Sequence, residues 1–146
     1  MLKHLIAAII FLSILFACSK NGNVTLEFRI AEDEPAANLT EMVFEPAGEI
    51  FYLHHEVLVN QHDVESATVV MQQGRPAVEL ILTSEGTKKF KKLTANNVGK
   101  RCAMVLNGEL LSAPVIRDTI SGGRAIINGI FTEAEAENIA IGLNKK

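Results

Sequence analysis

Apolar and polar residues alternate with a period of two along most of this chain, and a longer helical period interrupts them twice. Val24-Thr25-Leu26-Glu27-Phe28-Arg29-Ile30 is the first alternating run, the pattern of a strand with one buried face. Residues 31–48 carry acidic residues, Pro, Asn and Ala without clear periodicity and predict a loop with one short helical turn near Leu39–Phe44. Ile50–Leu53 predicts a second short strand, and Asn60–Glu65 a turn or short helix leading into the next. Ala67–Met71 and Ala77–Thr83 are apolar runs joined by Gln72-Gln73-Gly74-Arg75-Pro76, whose turn formers predict a hairpin.

The first interruption is a helix capped by Thr83 or Ser84 and running to about Asn97. Phe90, Leu93 and Val98 face the core, Lys88, Lys89, Lys91 and Lys92 cover the other faces, and Gly99 is placed to stop it. Arg101–Leu106 is again a strand. It ends in Asn107-Gly108, the preferred pair for a two-residue type I′ turn, which sets Leu106 opposite Glu109 and Val105 opposite Leu110. Pro114 cannot donate to a ladder, so pairing bends or ends there, or lies on an edge. Ser121-Gly122-Gly123 predicts a turn and Arg124–Ile127 a further strand. Thr132-Glu133-Ala134-Glu135 has the spacing of a capping box, and Ala136, Ile139, Ala140 and Leu143 then form one apolar helical face. The expected class is α+β, a mainly antiparallel sheet with two packing helices on one face.

The N-terminus follows different rules. Lys3 precedes the apolar run Leu5–Phe16, whose 12 residues fall short of the roughly 20 needed to span a bilayer and match a signal-peptide core. Leu15-Phe16-Ala17-Cys18 resembles the lipobox of bacterial lipoproteins, with Phe16 bulkier than usual there. That resemblance implies diacylglyceryl on the Cys18 sulfur and a further acyl chain, such as palmitate, on its amine. Two or more chains, at about 0.8 kcal/mol per buried methylene, give a durable anchor where one does not. Ordinary cleavage near Ala17 would instead release a soluble protein. The expected organisation is a leader over 1–17, a polar tether over 18–23, a strand-and-loop extension over 24–49 and a domain over 50–144.

Without residues 1–17 the chain has 129 residues, enough to bury about two thirds of its unfolded surface. Its 13 basic against 17 acidic residues, one Tyr and no Trp argue against a nucleic-acid partner. No later apolar run approaches membrane-spanning length. With Cys18 acylated, Cys102 stands alone inside an apolar strand pattern and reads as a buried structural thiol.

Candidate chemistry is sparse. His54, His55, Glu56, His62 and Asp63 are the densest set of metal-type ligands, but their spacing fits no tetrahedral motif, and they read as polar residues exposed to water on the surface. The Lys88–Lys92 group fits an anionic-lipid or acidic-partner patch, or simply a solvated helix face. Gly122-Gly123 precedes a strand rather than a helix and lacks the rest of a phosphate loop. No Gly-x-Ser-x-Gly elbow occurs. The sequence predicts no enzyme, no catalytic residue, no metal site and no cofactor.

Three segments carry a family resemblance: LTSEGTKKF from Leu82, NVGKRCAMVLNGELLSAPVI from Asn97, and ISGGRAIINGIFTEAEAENIA from Ile120. They closely resemble the head subdomain of the first periplasmic domain of SecD and SecDF, membrane subunits that assist the Sec export channel. A weaker trace reaches back to Phe51, so the resemblance spans about two thirds of the chain. Family members couple to the proton gradient through transmembrane helices, and their head is thought to hold emerging preprotein. The resemblance therefore implies a non-enzymatic, lipid-anchored module in the bacterial cell envelope, facing the periplasm or extracytoplasmic space and not itself a motor. Its expected partners are exported or unfolded polypeptide, or a Sec-associated membrane protein, with the bilayer reached through acylated Cys18. The alternative is an envelope scaffold or small-ligand-binding lipoprotein unrelated to export. An exposed apolar groove or free strand edge favours the first reading, and a closed polar pocket favours a small ligand.

Overall fold

The computed structural model describes residues 23–145. The predicted leader, Cys18 and most of the tether lie outside the described residues. Nine strands and two helices follow in order: β1 Leu26–Glu32, β2 Thr40–Phe44, β3 Glu49–Leu53, β4 Val59–Asn60, β5 Val64–Gln72, β6 Arg75–Leu82, α1 Ser84–Asn96, β7 Arg101–Leu106, β8 Glu109–Ser112, β9 Arg124–Ile127 and α2 Glu133–Asn144. A single turn of 3-10 helix, Gln61–Asp63, sits between β4 and β5.

The strands divide into two antiparallel sheets, one ordered β2-β3-β1-β7-β8 with β4 also beside β1, the other β5-β6-β9. Alternation along β1 and β7 gives the large sheet two apolar faces. Leu26, Phe28 and Ile30, with Cys102, Met104 and Leu106, join residues of β6, α1 and α2 in the main core. Ala31, Ala103 and Val105 point the other way and pack with Phe51, Leu53 and Leu110. Both helices contribute to the main core and neither to the second, in keeping with the α+β arrangement expected. The large sheet curls until β2 approaches β8, which closes the second core.

Local chemistry explains the element ends. The Thr83 hydroxyl accepts from the Gly86 amide at 3.0 Å and starts α1. Gly86 itself is needed for close approach, since a Cβ there would lie 2.4 Å from the Asp63 carbonyl oxygen. Asn107 and Gly108 take φ of 51° and 84° in the β7–β8 turn, with Leu106 opposite Glu109 and Val105 opposite Leu110 as expected. The β5–β6 turn is tighter than predicted: Gln73 and Gly74 alone form it, with φ of 50° and 78°, and Pro76 is already paired in β6. The capping box of α2 forms: Glu135 N–H donates to Thr132 Oγ1 at 3.2 Å and Thr132 N–H to the Glu135 carboxylate at 2.8 Å.

Two expectations fail. Leu39–Phe44 forms no helical turn, because Thr40–Phe44 pairs in register with Glu49–Leu53 as β2. Met42 and Phe44 turn toward the second core while Val43 is exposed, so an apolar residue on the wet face hid the period of two. Val98 is 54% exposed rather than core-facing. The helix ends at Asn96, the Asn97 side chain donates to the Leu93 carbonyl at 2.8 Å, and Val98 no longer follows the helical face.

Candidate functional site

Where the backbone can accept a partner follows from a count of strand edges. The large sheet ends in β2 and β8, which approach each other over the second core. The small sheet ends in β5 and β9. Along β5 lies α2, and its last residue, Asn144, presents a side-chain amide to the strand: Ala67 N–H donates to Asn144 Oδ1 and Asn144 Nδ2 donates to the Ala67 carbonyl, both at 2.8 Å. One side chain thus supplies the two bonds that a neighbouring strand would make. β9 pairs with β6 on one side, and no strand pairs with its other side among the described residues.

Beside that open edge lies a groove of about 610 Å³ that reaches to the main core. Phe28, Phe90, Met104 and Ile116 line its depth, and Val115 and Ile120, about 40% exposed, lie along it. The Phe28 and Phe90 rings meet edge to face at 5.7 Å, which fixes its floor. Its charged lining residues are Arg117, Asp118 and the Arg124–Glu79 ion pair at 3.3 Å.

The loop from Arg117 to Gly123 is tied to α1 beside the groove. Buried Thr94 donates its hydroxyl to the Phe90 carbonyl and accepts from the Ile120 amide, both at 2.9 Å. One turn and more earlier, Gly123, at φ 67°, lies against Thr87, where any Cβ would stand 2.7 Å from Thr87 Oγ1. Sequence reasoning passed over Thr94; its only signal was a hydroxyl on the apolar face of a helix. Cys102 lines the same groove, and burial pushes its thiol up to about 12, so it stays protonated and inert.

The structure disperses the histidine set. His54 Nε2 meets the Glu32 carboxylate at 3.0 Å, His55 lies 3.5 Å from Thr40 Oγ1, and His62 lies beside Gln61. Asp63 is buried, contrary to its expected place on the surface: it accepts from the Asn60 amide at 3.0 Å and from Lys89 at 2.8 Å. Among the described residues, no three His, Cys, Asp or Glu side chains are grouped to hold a metal ion. The bond from His54, aided by Lys100, holds the Glu32 carboxyl below its usual range. Lys88, Lys91 and Lys92 are exposed on α1.

An α+β fold with two helices and two antiparallel sheets is therefore the class of protein the geometry defines. A family model described as the SecDF P1 head subdomain matches residues 37–145, and the chain belongs to that family. The protein translocase subunit SecDF of Thermus thermophilus is 47% identical over 85 residues, which is 58% of this chain and 12% of that protein. SecD of Magnetococcus marinus is 34% identical over 120 residues, 82% of this chain and 22% of that protein. A solved structure of SecDF, a membrane component that enhances protein export, superposes with a TM-score of 0.68 at 34% identity, covering 84% of this chain and 62% of the other. The chain thus spans only an eighth to about a fifth of these two translocase subunits. Among the described residues no helix is long and apolar enough to cross a membrane.

Proposed function

We propose that this chain is a non-enzymatic binding module, lipid-anchored through Cys18 on the outer side of a bacterial membrane, that holds extended polypeptide during export. The single observation that carries this reading is the free edge of β9 beside an open apolar groove. Strand addition there would satisfy the backbone of β9 and of the guest, and alternate guest side chains would enter the groove. Backbone pairing reads little sequence, which suits a site that meets many different chains. The groove is open to solvent and lined mainly by apolar groups, which fits an extended chain better than a small ligand held by convergent polar groups. In this reading the leader is removed before Cys18, and a Sec-associated membrane protein delivers the guest.

The test is a titration of a labelled, permanently unfolded chain against the parent protein, Val115→Asp and Ile120→Asp, with a folded protein of similar charge as control. Each variant should bind the unfolded chain at least about tenfold more weakly, since a charge would be buried beside an apolar guest. Parent-like affinity in both variants, or equal binding of folded and unfolded chains, overturns the groove assignment in favour of an envelope scaffold.

A further inference from the structure

Charge is distributed unevenly over this molecule. Residues 30–74 contain nine Asp and Glu and no Lys or Arg, whereas α1 carries four lysines against one Glu in a chain of net charge −3. Only Lys89 of the four has an ion-pair partner among the described residues, buried Asp63 at 2.8 Å. Lys88, Lys91 and Lys92 occupy adjoining turns with their ammonium groups unpaired there. Lys92 also opens, with Lys89, Lys100 and His54, onto a cavity of about 500 Å³ at the flank of the helix.

A second observation concerns where the chain enters the fold. Leu26 N–H donates to Gln61 Oε1 at 3.2 Å, and Asn23, Val24 and Thr25 line a hollow with Gln61 and His62. The next residue, Asp63, holds Lys89 and packs against Gly86 in the first turn of α1. The described chain therefore begins beside Gln61 and the C-terminal turn of α2, where Val24 lies against Gly142, and Asp63 links that corner to the first turn of α1. Five residues, Ser19 to Asn23, separate Cys18 from that point, and they reach at most about 18 Å when extended. A domain anchored at Cys18 keeps its N-terminal end within that reach of the headgroups, and attraction over the last roughly 8–10 Å decides which face turns to them.

We propose that the lysine face of α1 is a docking surface for anionic phospholipid headgroups and sets the orientation of the domain on its membrane. The partner is fixed by charge complementarity and by the short tether, and the orientation rests on the membrane attachment proposed above. Of the acidic residues from 30 to 74, Asp63 is paired with Lys89 and Glu56 lines the cavity at the flank of α1. The buried residues of α1, Gly86, Phe90, Leu93 and Thr94, lie on the side away from the lysines, and Phe90 and Thr94 line the groove. Docking through the lysines therefore leaves the groove and the β9 edge turned away from the bilayer, open to a chain arriving from outside.

The experiment uses the full chain with vesicles of phosphatidylcholine alone or mixed with phosphatidylglycerol. Lysine acetylation is followed site by site, and affinity is measured by sedimentation. Lys88, Lys91 and Lys92 should acetylate about tenfold more slowly on the anionic vesicles, and high salt should abolish the difference. Replacing the three together by Gln should weaken binding to anionic vesicles about a hundredfold, at about fivefold per lysine, and leave binding to neutral vesicles unchanged. Equal acetylation and equal affinity on both vesicles overturn the proposal, as does protection by soluble polyglutamate but not by anionic vesicles. Failure to sediment with neutral vesicles counts against the lipid anchor alone, because the lysine term is read as the anionic-minus-neutral difference.

Discussion

The three-stranded sheet has two outer strands, and the fold treats them in opposite ways. β5 lies under α2, and the Asn144 amide occupies the donor and acceptor of Ala67. β9 has only a groove beside it. An uncovered edge invites association with any extended chain, and natural sheets usually blunt both edges. Here one edge is blunted by a side chain that imitates a strand while the other has no such cover, so the exposure of β9 is selective. The difference also predicts that, of the two outer strands of this sheet, only β9 takes up a guest strand.

The largest effect should come from breaking the open side from within. Phe28→Ala removes a fully buried ring that forms the groove floor and meets Phe90 edge to face, and should cost about 3–5 kcal/mol. Denaturant unfolding measures it, and a cost below about 1 kcal/mol would mean that the floor is not part of the main core. Next comes the closed side. Asn144→Leu keeps much of the volume but leaves the Ala67 backbone pair unsatisfied, at about 1–3 kcal/mol, and should speed deuterium exchange of the Ala67 amide. If β5 then also captures unfolded polypeptide, the amide is what kept that edge shut; unchanged exchange at Ala67 would show that α2 covers it without Asn144.

A third experiment sharpens the contrast without any substitution. Adding unfolded polypeptide should slow amide exchange along Arg124–Ile127 and leave Val64–Gln72 as it was. Slowing in both strands would make the two edges equivalent and remove the distinction.

The smallest effect is acid sensitivity at the N-terminus of α2. The Thr132 amide, and secondarily its hydroxyl, hold the Glu135 carboxyl below its ordinary value of 4.5. A depressed folded pKa adds stability that is complete above the unfolded value and is lost as pH falls through the folded one. The melting temperature should therefore decline below about pH 4.5, and Glu135→Gln should lower it at neutral pH while flattening that decline. An identical pH profile in the variant would show that the capping box contributes nothing to holding α2 over β5.

Much of the fold was legible in the chain, while the contrast between the two edges was hidden for a physical reason. Turn and cap chemistry is local, so Asn107-Gly108, Thr83, Thr132-Glu135 and the apolar face ending at Leu143 announced their elements. The same short-range signals carried the family resemblance between Leu82 and Phe131. Division into two sheets depends on pairings such as β1 with β7, which join residues some seventy apart and leave no mark on local periodicity. The Asn144 latch acts across 77 residues, and a polar residue at a helix end has many ordinary explanations. The groove was invisible for the same reason: its floor draws on β1, α1 and β7, each of which reads alone as ordinary core.

The buried thiol of Cys102 gives the groove a built-in clock. Burial pushes its pKa up to about 12, so the thiol is protonated at pH 7, and the residue is only 7% exposed. A maleimide added to the folded protein must wait for the groove to part before it reacts. The labelling rate then times that opening, and a bound guest strand that holds the two walls together would be read directly as a slower clock.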